Sequence, residues 1–182
     1  HLRDLQAAPE RRTGRAGVKI FGLAGWSGSG KTTLLVRLLP ALAARGLSVS
    51  TVKHAHHDFD IDRPGKDSFR HRAAGATEVM VASGYRWALM REHRDVPEPT
   101  LPDLLARMVP VDLVIVEGFK FDPHPKLEVH RPSLGKPLIC LQDRHIVAVA
   151  SDVPLPDVTL PVLDLDDTDG IAGFVVDCCG LG

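Results

Sequence analysis

Residues 25–32 read Gly25-Trp26-Ser27-Gly28-Ser29-Gly30-Lys31-Thr32, which matches the pattern G-x-x-x-x-G-K-[ST]. Glycines at these positions let backbone N–H groups turn inward around phosphate oxygens, and a helix starting there adds a favourable dipole. Lys31 would reach the β- and γ-phosphates as a point charge, and the Thr32 hydroxyl would ligate Mg2+. Gly25, Ser27, Gly28, Ser29, Gly30 and Thr33 complete the candidate nucleotide contacts. A Gly/Ser-rich turn that binds nothing would match the same letters. The flanks favour function: an apolar strand, Val18 to Ala24, precedes the loop, and a helix with leucines at 34, 35, 38, 39 and 42 follows it.

Such a loop needs an acidic residue at the tip of another core strand, to hold the metal directly or through water. Glu117 ends the apolar run Leu113 to Val116, and Gly118 leaves space beside it. Asp112 starts the same strand, about 15 Å away at ~3.3 Å per residue, which is the wrong end. A solvated strand-end Glu is the alternative reading of Glu117. Between these motifs, a polar segment leaves the second strand with Lys53, His54, His56, His57 and Asp58, followed by Lys66, Asp67, Ser68 and Arg70. It could bring Asp67 and Ser68 to the metal and Lys53 or Arg70 to phosphate. Three His in four residues also suit Zn2+ or Ni2+, although neighbouring residues of an extended loop point apart. Solvated or phosphate-contacting imidazoles remain the other reading.

The elements that must position these groups alternate along the chain. Strands are expected at Val18 to Ala24, Leu47 to Lys53, Leu113 to Glu117, Leu127 to His130, Leu138 to Leu141 and Ile146 to Ser151. Helices are expected at Lys31 to Arg45, Lys66 to Ala74, Thr100 to Met108 and Thr168 to about Cys179. Glu78 to Ser83 and Arg86 to Glu92 flank Gly84-Tyr85 as a hairpin, with Tyr85 and Trp87 packing on it. The sum is an α/β P-loop NTPase fold: a mainly parallel sheet with helices on both faces and a β-hairpin excursion. Residues 18–182 form one nucleotide-binding domain, preceded by a mobile arm over residues 1–17. The chain starts at His1 and not Met, which suggests a missing or replaced native N-terminus.

Composition sets outer limits. The 182 residues carry 22 basic and 23 acidic side chains, for a net charge of -1, which argues against a global basic field for nucleic acid. No apolar run approaches the ~18 residues of a membrane span. Three cysteines, Cys140 and the adjacent Cys178 and Cys179, point to a reducing compartment and not to a disulfide framework, so a cytoplasmic location is expected. The Cys178-Cys179 pair lacks redox spacing and reads as core and tail.

Taken together, the phosphate loop, Thr51-Val52-Lys53-His54-Ala55-His56-His57, Gly65-Lys66-Asp67-Ser68-Phe69-Arg70 and Val116-Glu117-Gly118-Phe119-Lys120 resemble the MobB family of molybdopterin-guanine dinucleotide biosynthesis adaptors. The resemblance covers residues 18 to about 178. It implies a dimeric GTP-binding protein with weak, Mg2+-dependent hydrolysis. The implied partners are a MobA-like guanylyltransferase, molybdopterin or its guanine dinucleotide, and apo-molybdoenzymes. It assigns Lys31 and Asp67 to catalysis, Thr32 and Glu117 to the metal, and Lys53, His54, His56, Ser68, Arg70 and Lys120 to the active-site wall.

Guanine selection follows no standard motif, because N-K-x-D needs an asparagine and the chain has none. Asp152, after the strand Ile146 to Ser151, is the candidate base reader; a turn-starting Asp before Val153-Pro154 is the alternative. Two other classes stay open on the residues alone. One is a metallochaperone GTPase using His54, His56 and His57. The other is an ATP-dependent small-molecule kinase or ligase.

Overall fold

The computed structural model describes residues 17–55, 59–120 and 122–182; the expected arm over 1–16 and His56, His57 and Asp58 lie outside them. The chain divides into two compact units, one from residues up to His54 together with Val109–Gly182, the other Ala55–Met108.

The first unit is a six-stranded sheet. Its strands are β1 (Lys19–Ala24), β2 (Val49–Lys53), β5 (Leu113–Glu117), β6 (Lys126–His130), β7 (Ile146–Ser151) and β8 (Val162–Asp164), ordered β2-β5-β1-β6-β7-β8, with every pairing parallel. Side chains alternate between faces. Phe21, Leu23, Leu113, Ile115, Leu127, Val129, Ala148 and Ala150 form one apolar face. The helices α1 (Lys31–Ala44) and α4 (Thr168–Cys179) both pack on it. Leu34, Leu38 and Leu42 recur every four residues along α1, which puts them on one stripe, and Ile171, Val175 and Cys179 do the same on α4. Burial pushes the Cys179 thiol up to about 11, as suits a core residue and not a reactive one.

On the opposite face, the surroundings of β6 are loop. Residues 118–125 are all that join β5 to β6, too few for a helical crossover, which takes about a dozen or more. On this face β6 presents Lys126, Glu128 and His130, all buried. Lys126 donates to the Asp122 carbonyl at 2.7 Å and the Asp143 carboxylate at 3.2 Å, so its charge is compensated. Glu128 accepts from the backbone N–H groups of Ile139 and Cys140, each at 2.8 Å. That clamp is why residues 138–141 do not form the expected strand: their amides are spent on a buried carboxylate. The Ile139 carbonyl meanwhile accepts from Gln142 and Asp143 in a turn. The three-residue β8 went unread because Pro161 and Asp164 bracket a run too short to show alternation.

In the second unit, β3 (Glu78–Ala82) and β4 (Trp87–Arg91) form the expected antiparallel hairpin. Tyr85 and Trp87 do not pack on it, however; they are 97% and 65% exposed. Tyr85 stands in the tip, beyond the paired residues, and Trp87 lies opposite Ala82, whose side chain is too small to cover an indole. Helix α3 (Leu101–Leu105) starts with a capping box between Thr100 and Asp103 but ends before the expected Met108. Helix α2 (Asp67–Ala73) contributes Arg72, which ties the unit together through Asp60 at 2.6 Å, Asp62 at 2.8 Å and Glu92 at 3.1 Å. Val79 and Leu101 are the buried hydrophobic residues described here, so ion pairing carries much of what a core would otherwise do. Replacing Arg72 with Leu leaves the largely buried Asp62 uncompensated. The expected outcome is faster amide hydrogen exchange across β3 and β4 with exchange in β1 and β5 unchanged.

Candidate nucleotide site

Strand β1 ends at Ala24, and the chain turns through Gly25, Gly28 and Gly30 at φ of 144°, 81° and 100° before entering α1. Only glycine adopts such angles freely. At Gly25 the space is closed too: an added Cβ would lie 2.6 Å from both the Ser29 hydroxyl and the Val129 carbonyl. Ser29 is buried, and its hydroxyl has no hydrogen-bond partner among the described residues. Thr32 and Thr33, in the first turn of α1, are exposed. Lys31 lies back along the loop and donates to the carbonyls of Gly25 at 2.8 Å and Trp26 at 3.0 Å.

The expected second acidic residue lies beside this loop. Glu117 pairs with Leu23 of β1 on one side and with Lys53 of β2 on the other, so three strand tips meet at one end of the sheet. Burial pushes the Lys31 ammonium below its ordinary range; the Glu117 charge opposes that, and the charges of Lys120 and Lys53 add to it. The structure therefore brings Lys31, Lys53, Lys120 and Glu117 together. Three ammonium groups against one carboxylate form a site short of negative charge, which suits a polyphosphate. A hydroxyl and a carboxylate, Thr32 and Glu117, are hard oxygen donors of the kind Mg2+ prefers. Asp112 is at the far end of β5, as expected, where it accepts from the Ser48 amide and hydroxyl.

The family-like blocks at the ends of β2 and β5 prove to be physically joined. The His54 amide donates to the Glu117 carbonyl at 2.8 Å, and the His54 ring stacks on Phe119 with centroids 4.7 Å apart. Gly118 is at φ 100°, where an added Cβ would strike the His54 Cβ at 2.6 Å. Phe119 itself takes φ 49°, an uncommon angle for a side chain of its size. Asp67, Ser68 and Arg70 lie on α2 of the second unit, Asp67 at its first position, with Asp67 and Arg70 exposed. His56 and His57 lie outside the described residues. Among those described, no group of three His, Cys, Asp or Glu could hold a metal ion.

Several site residues escaped sequence reasoning because they belong to no pattern. The segment after β6 forms a strap over the phosphate loop. Arg131 donates through Nε to the Ser29 carbonyl at 3.1 Å and through Nη1 to Asp152 Oδ2 at 2.6 Å. The Trp26 indole donates to the Pro137 carbonyl at 2.8 Å, and the Lys136 ammonium sits 5.8 Å from its ring centroid. Beyond Asp152, a cavity of about 450 Å3 opens between the ends of β7 and β8, lined by Ser151, Asp152, Pro154, Pro156, Leu163 and Asp164. Asp152 thus lines this cavity and is ion-paired to Arg131 of the strap.

Comparison with known proteins agrees with the geometry. The family described as MobB, "Molybdopterin guanine dinucleotide synthesis protein B", matches residues 20–152, a stretch that includes the loop, Glu117, Arg131 and Asp152. The chain belongs to the MobB family. Among curated MobB relatives, the molybdopterin-guanine dinucleotide biosynthesis adapter protein of Escherichia coli is 47% identical over 167 residues, covering 90% of this chain and 95% of that protein. The protein so described in Haemophilus influenzae is 43% identical, covering 87% and 88%. A crystal structure of molybdopterin-guanine biosynthesis protein B superposes with a TM-score of 0.69 at 29% identity, over 87% of this chain and 98% of that one. The MobB fold is thus the mainly parallel α/β P-loop arrangement expected of the sequence, with α1 and α4 on the same face of the sheet.

The strap depends on Glu128, whose two oxygens accept two backbone amides in a buried place. Glu128→Gln turns one acceptor into a donor facing a donor. The expected loss is about 2–3 kcal/mol in urea unfolding, as for a charged hydrogen bond removed with its partner left buried.

Proposed function

We propose that this protein is a GTP-binding adapter in molybdopterin guanine dinucleotide biosynthesis, with residues 18–182 as its nucleotide-binding domain. The observation that carries the proposal is the meeting of Lys31, Lys53, Lys120 and Glu117 beside a glycine-turned helix N-terminus. Its MobB relatives are adapter proteins for that pathway by name. The chemical role that fits is to present guanine nucleotide to a MobA-like guanylyltransferase and to pass the finished cofactor to apo-molybdoenzymes. A homodimer working in the cytoplasm belongs to the same reading.

In this scheme the backbone N–H groups of Gly28, Ser29, Gly30, Lys31 and Thr32 receive the phosphate oxygens, with Ser27 and Thr33 at the margins. Lys31 exchanges two carbonyl acceptors, those of Gly25 and Trp26, for phosphate oxygens. Thr32 and Glu117 would hold Mg2+, which would supply positive charge to offset the negative charge of the phosphates. Hydrolysis is slow: water attacks the γ-phosphorus in line, the bond to the β-phosphate oxygen breaks, and GDP and inorganic phosphate result. Lys31 carries the growing charge on the bridging side. Lys53, His54 and Lys120 are the wall residues contributed by the first unit. Asp152 reads the base, its carboxylate accepting from the guanine N1–H and exocyclic amine.

Isothermal titration with GTP, ATP and GDP in Mg2+ tests the base and the phosphate site together. Lys31→Ala is expected to lose at least about tenfold in GTP affinity with an unchanged circular dichroism spectrum, since a charge-assisted phosphate contact is worth about 1.5–3 kcal/mol. Undiminished affinity would sink the phosphate assignment. For Asp152→Asn the expectation is a reversal. GTP weakens by about tenfold, the scale set by one lost charged hydrogen bond. XTP tightens, because the new amide donates to the 2-oxo group that replaces the guanine amine.

A further inference from the structure

The chain has no asparagine anywhere, and yet one side chain spans the distance between the phosphate loop and the residue proposed to read the base. Arg131 leaves the end of β6 and reaches both: Nε donates to the Ser29 carbonyl at 3.1 Å and Nη1 to Asp152 Oδ2 at 2.6 Å. A guanidinium is a planar fork whose donors keep fixed mutual angles, so its two bonds fix two partners relative to one another. One partner is main chain of the loop that turns around phosphate. The other is a carboxylate at the mouth of the 450 Å3 cavity. The side chains of the pair are only 35% and 28% exposed, enough shielding for the geometry to hold and enough access for a ligand.

We propose that Arg131 is a specificity-positioning residue, which sets the Asp152 carboxylate at a fixed distance from the phosphate loop so that only a purine with two adjacent donors fits. The inference rests on the reading of Asp152 given above and deepens it. A carboxylate oxygen accepts more than one hydrogen bond, so Oδ2 can stay with Arg131 while Oδ1 faces the base. Guanine offers N1–H and an exocyclic N–H to such a pair of oxygens. Adenine offers a ring-nitrogen acceptor, which the carboxylate repels, beside its amine. That discrimination requires the carboxylate plane to be held. An exposed Asp on a turn would otherwise rotate to accommodate either base. The fork supplies the hold, and because its other end is on Ser29, base and triphosphate are measured against one ruler. The cavity walls (Pro154, Pro156 and Leu163) are apolar enough to stack a ring but carry no donor-acceptor code.

The test is the ratio of GTP to ATP affinity, in which any common loss at the phosphate site cancels. It is measured by calorimetry for wild type, Arg131→Gln, Asp152→Asn and the double variant, with thermal unfolding run on each. Arg131→Gln is expected to lower the ratio by about fivefold or more. The double variant is expected to match Asp152→Asn alone, since a positioning residue has nothing to position once its carboxylate is gone. Arg131→Lys keeps the charge without the fork and should recover less than half of the lost ratio. A drop in ratio for Asp152→Asn with none for Arg131→Gln overturns the inference and leaves the Asp152 reading standing. Additive losses in the double variant also overturn it. An unchanged ratio in Asp152→Asn removes the Asp152 reading and this inference with it.

Discussion

The half-buried Lys31 ammonium stands beside the tips of β1, β2 and β5, where the Glu117 carboxylate offsets its charge and Lys53 and Lys120 add to it, and the rest of the first unit holds these tips at one end of the sheet. Burial is the first reason that the Lys31 ammonium lies below its ordinary range; the Glu117 charge opposes that shift, and the charges of Lys120 and Lys53 add to it. A chain tolerates such a cluster only where packing elsewhere holds the tips together. Here that packing is one apolar face gripped by α1 and α4, with Leu34, Leu38 and Leu42 against Phe21, Leu23 and Ile115. A hydrogen bond reinforces it: Arg45, just past the end of α1, donates to the Asp169 carbonyl at the start of α4. The parallel order of strands then places every tip at the same end, the end where ligands bind in open α/β sheets.

The second unit solves a different problem with different means. Little apolar surface is buried in it, and Arg72, with three carboxylates around it, takes the central place. Arg94 closes the end of α2 by donating to the carbonyls of Gly75, Arg72 and Ala76. Electrostatic bracing of this kind weakens with salt more than an apolar core does. The two units therefore differ in which solution conditions they resist.

How far the sequence foretold these features follows from where the information lies. The phosphate loop, Glu117 and the hairpin are short-range features, written in residues that are neighbours along the chain; the glycines at 25, 28 and 30 announce their own backbone angles. The block around Val116 to Lys120 carried its signal too, and the structure adds the reason Gly118 stands there: the His54 Cβ leaves room for nothing larger. Long-range polar contacts are another matter. Glu128 sits at a core position in β6 and reads as an interruption of a strand, while its partners, the amides of Ile139 and Cys140, have no residue identity to read. The same holds for Arg131, whose main-chain partner is 102 positions away in sequence. Ordinary strand propensity at Leu138 to Leu141 was overridden by that buried carboxylate. Asp152 was visible as a candidate because a strand ends just before it, but its orientation came only with Arg131.

The strap from Arg131 to Cys140 has a consequence of its own. It is tied at both ends and once between, and each tie uses a main-chain atom on one side: the Ser29 carbonyl for Arg131, the Pro137 carbonyl for Trp26, and two backbone amides for Glu128. Main-chain atoms are the same whatever the side chain. Pro132 to Lys136 are exposed, so their side chains are released from the task of holding the strap in place. The segment beside the phosphate loop is in this way fixed in shape and, Gly135 at φ 62° apart, free in spelling. Its outward chemistry can change by mutation without loss of the ties that hold it to the phosphate loop.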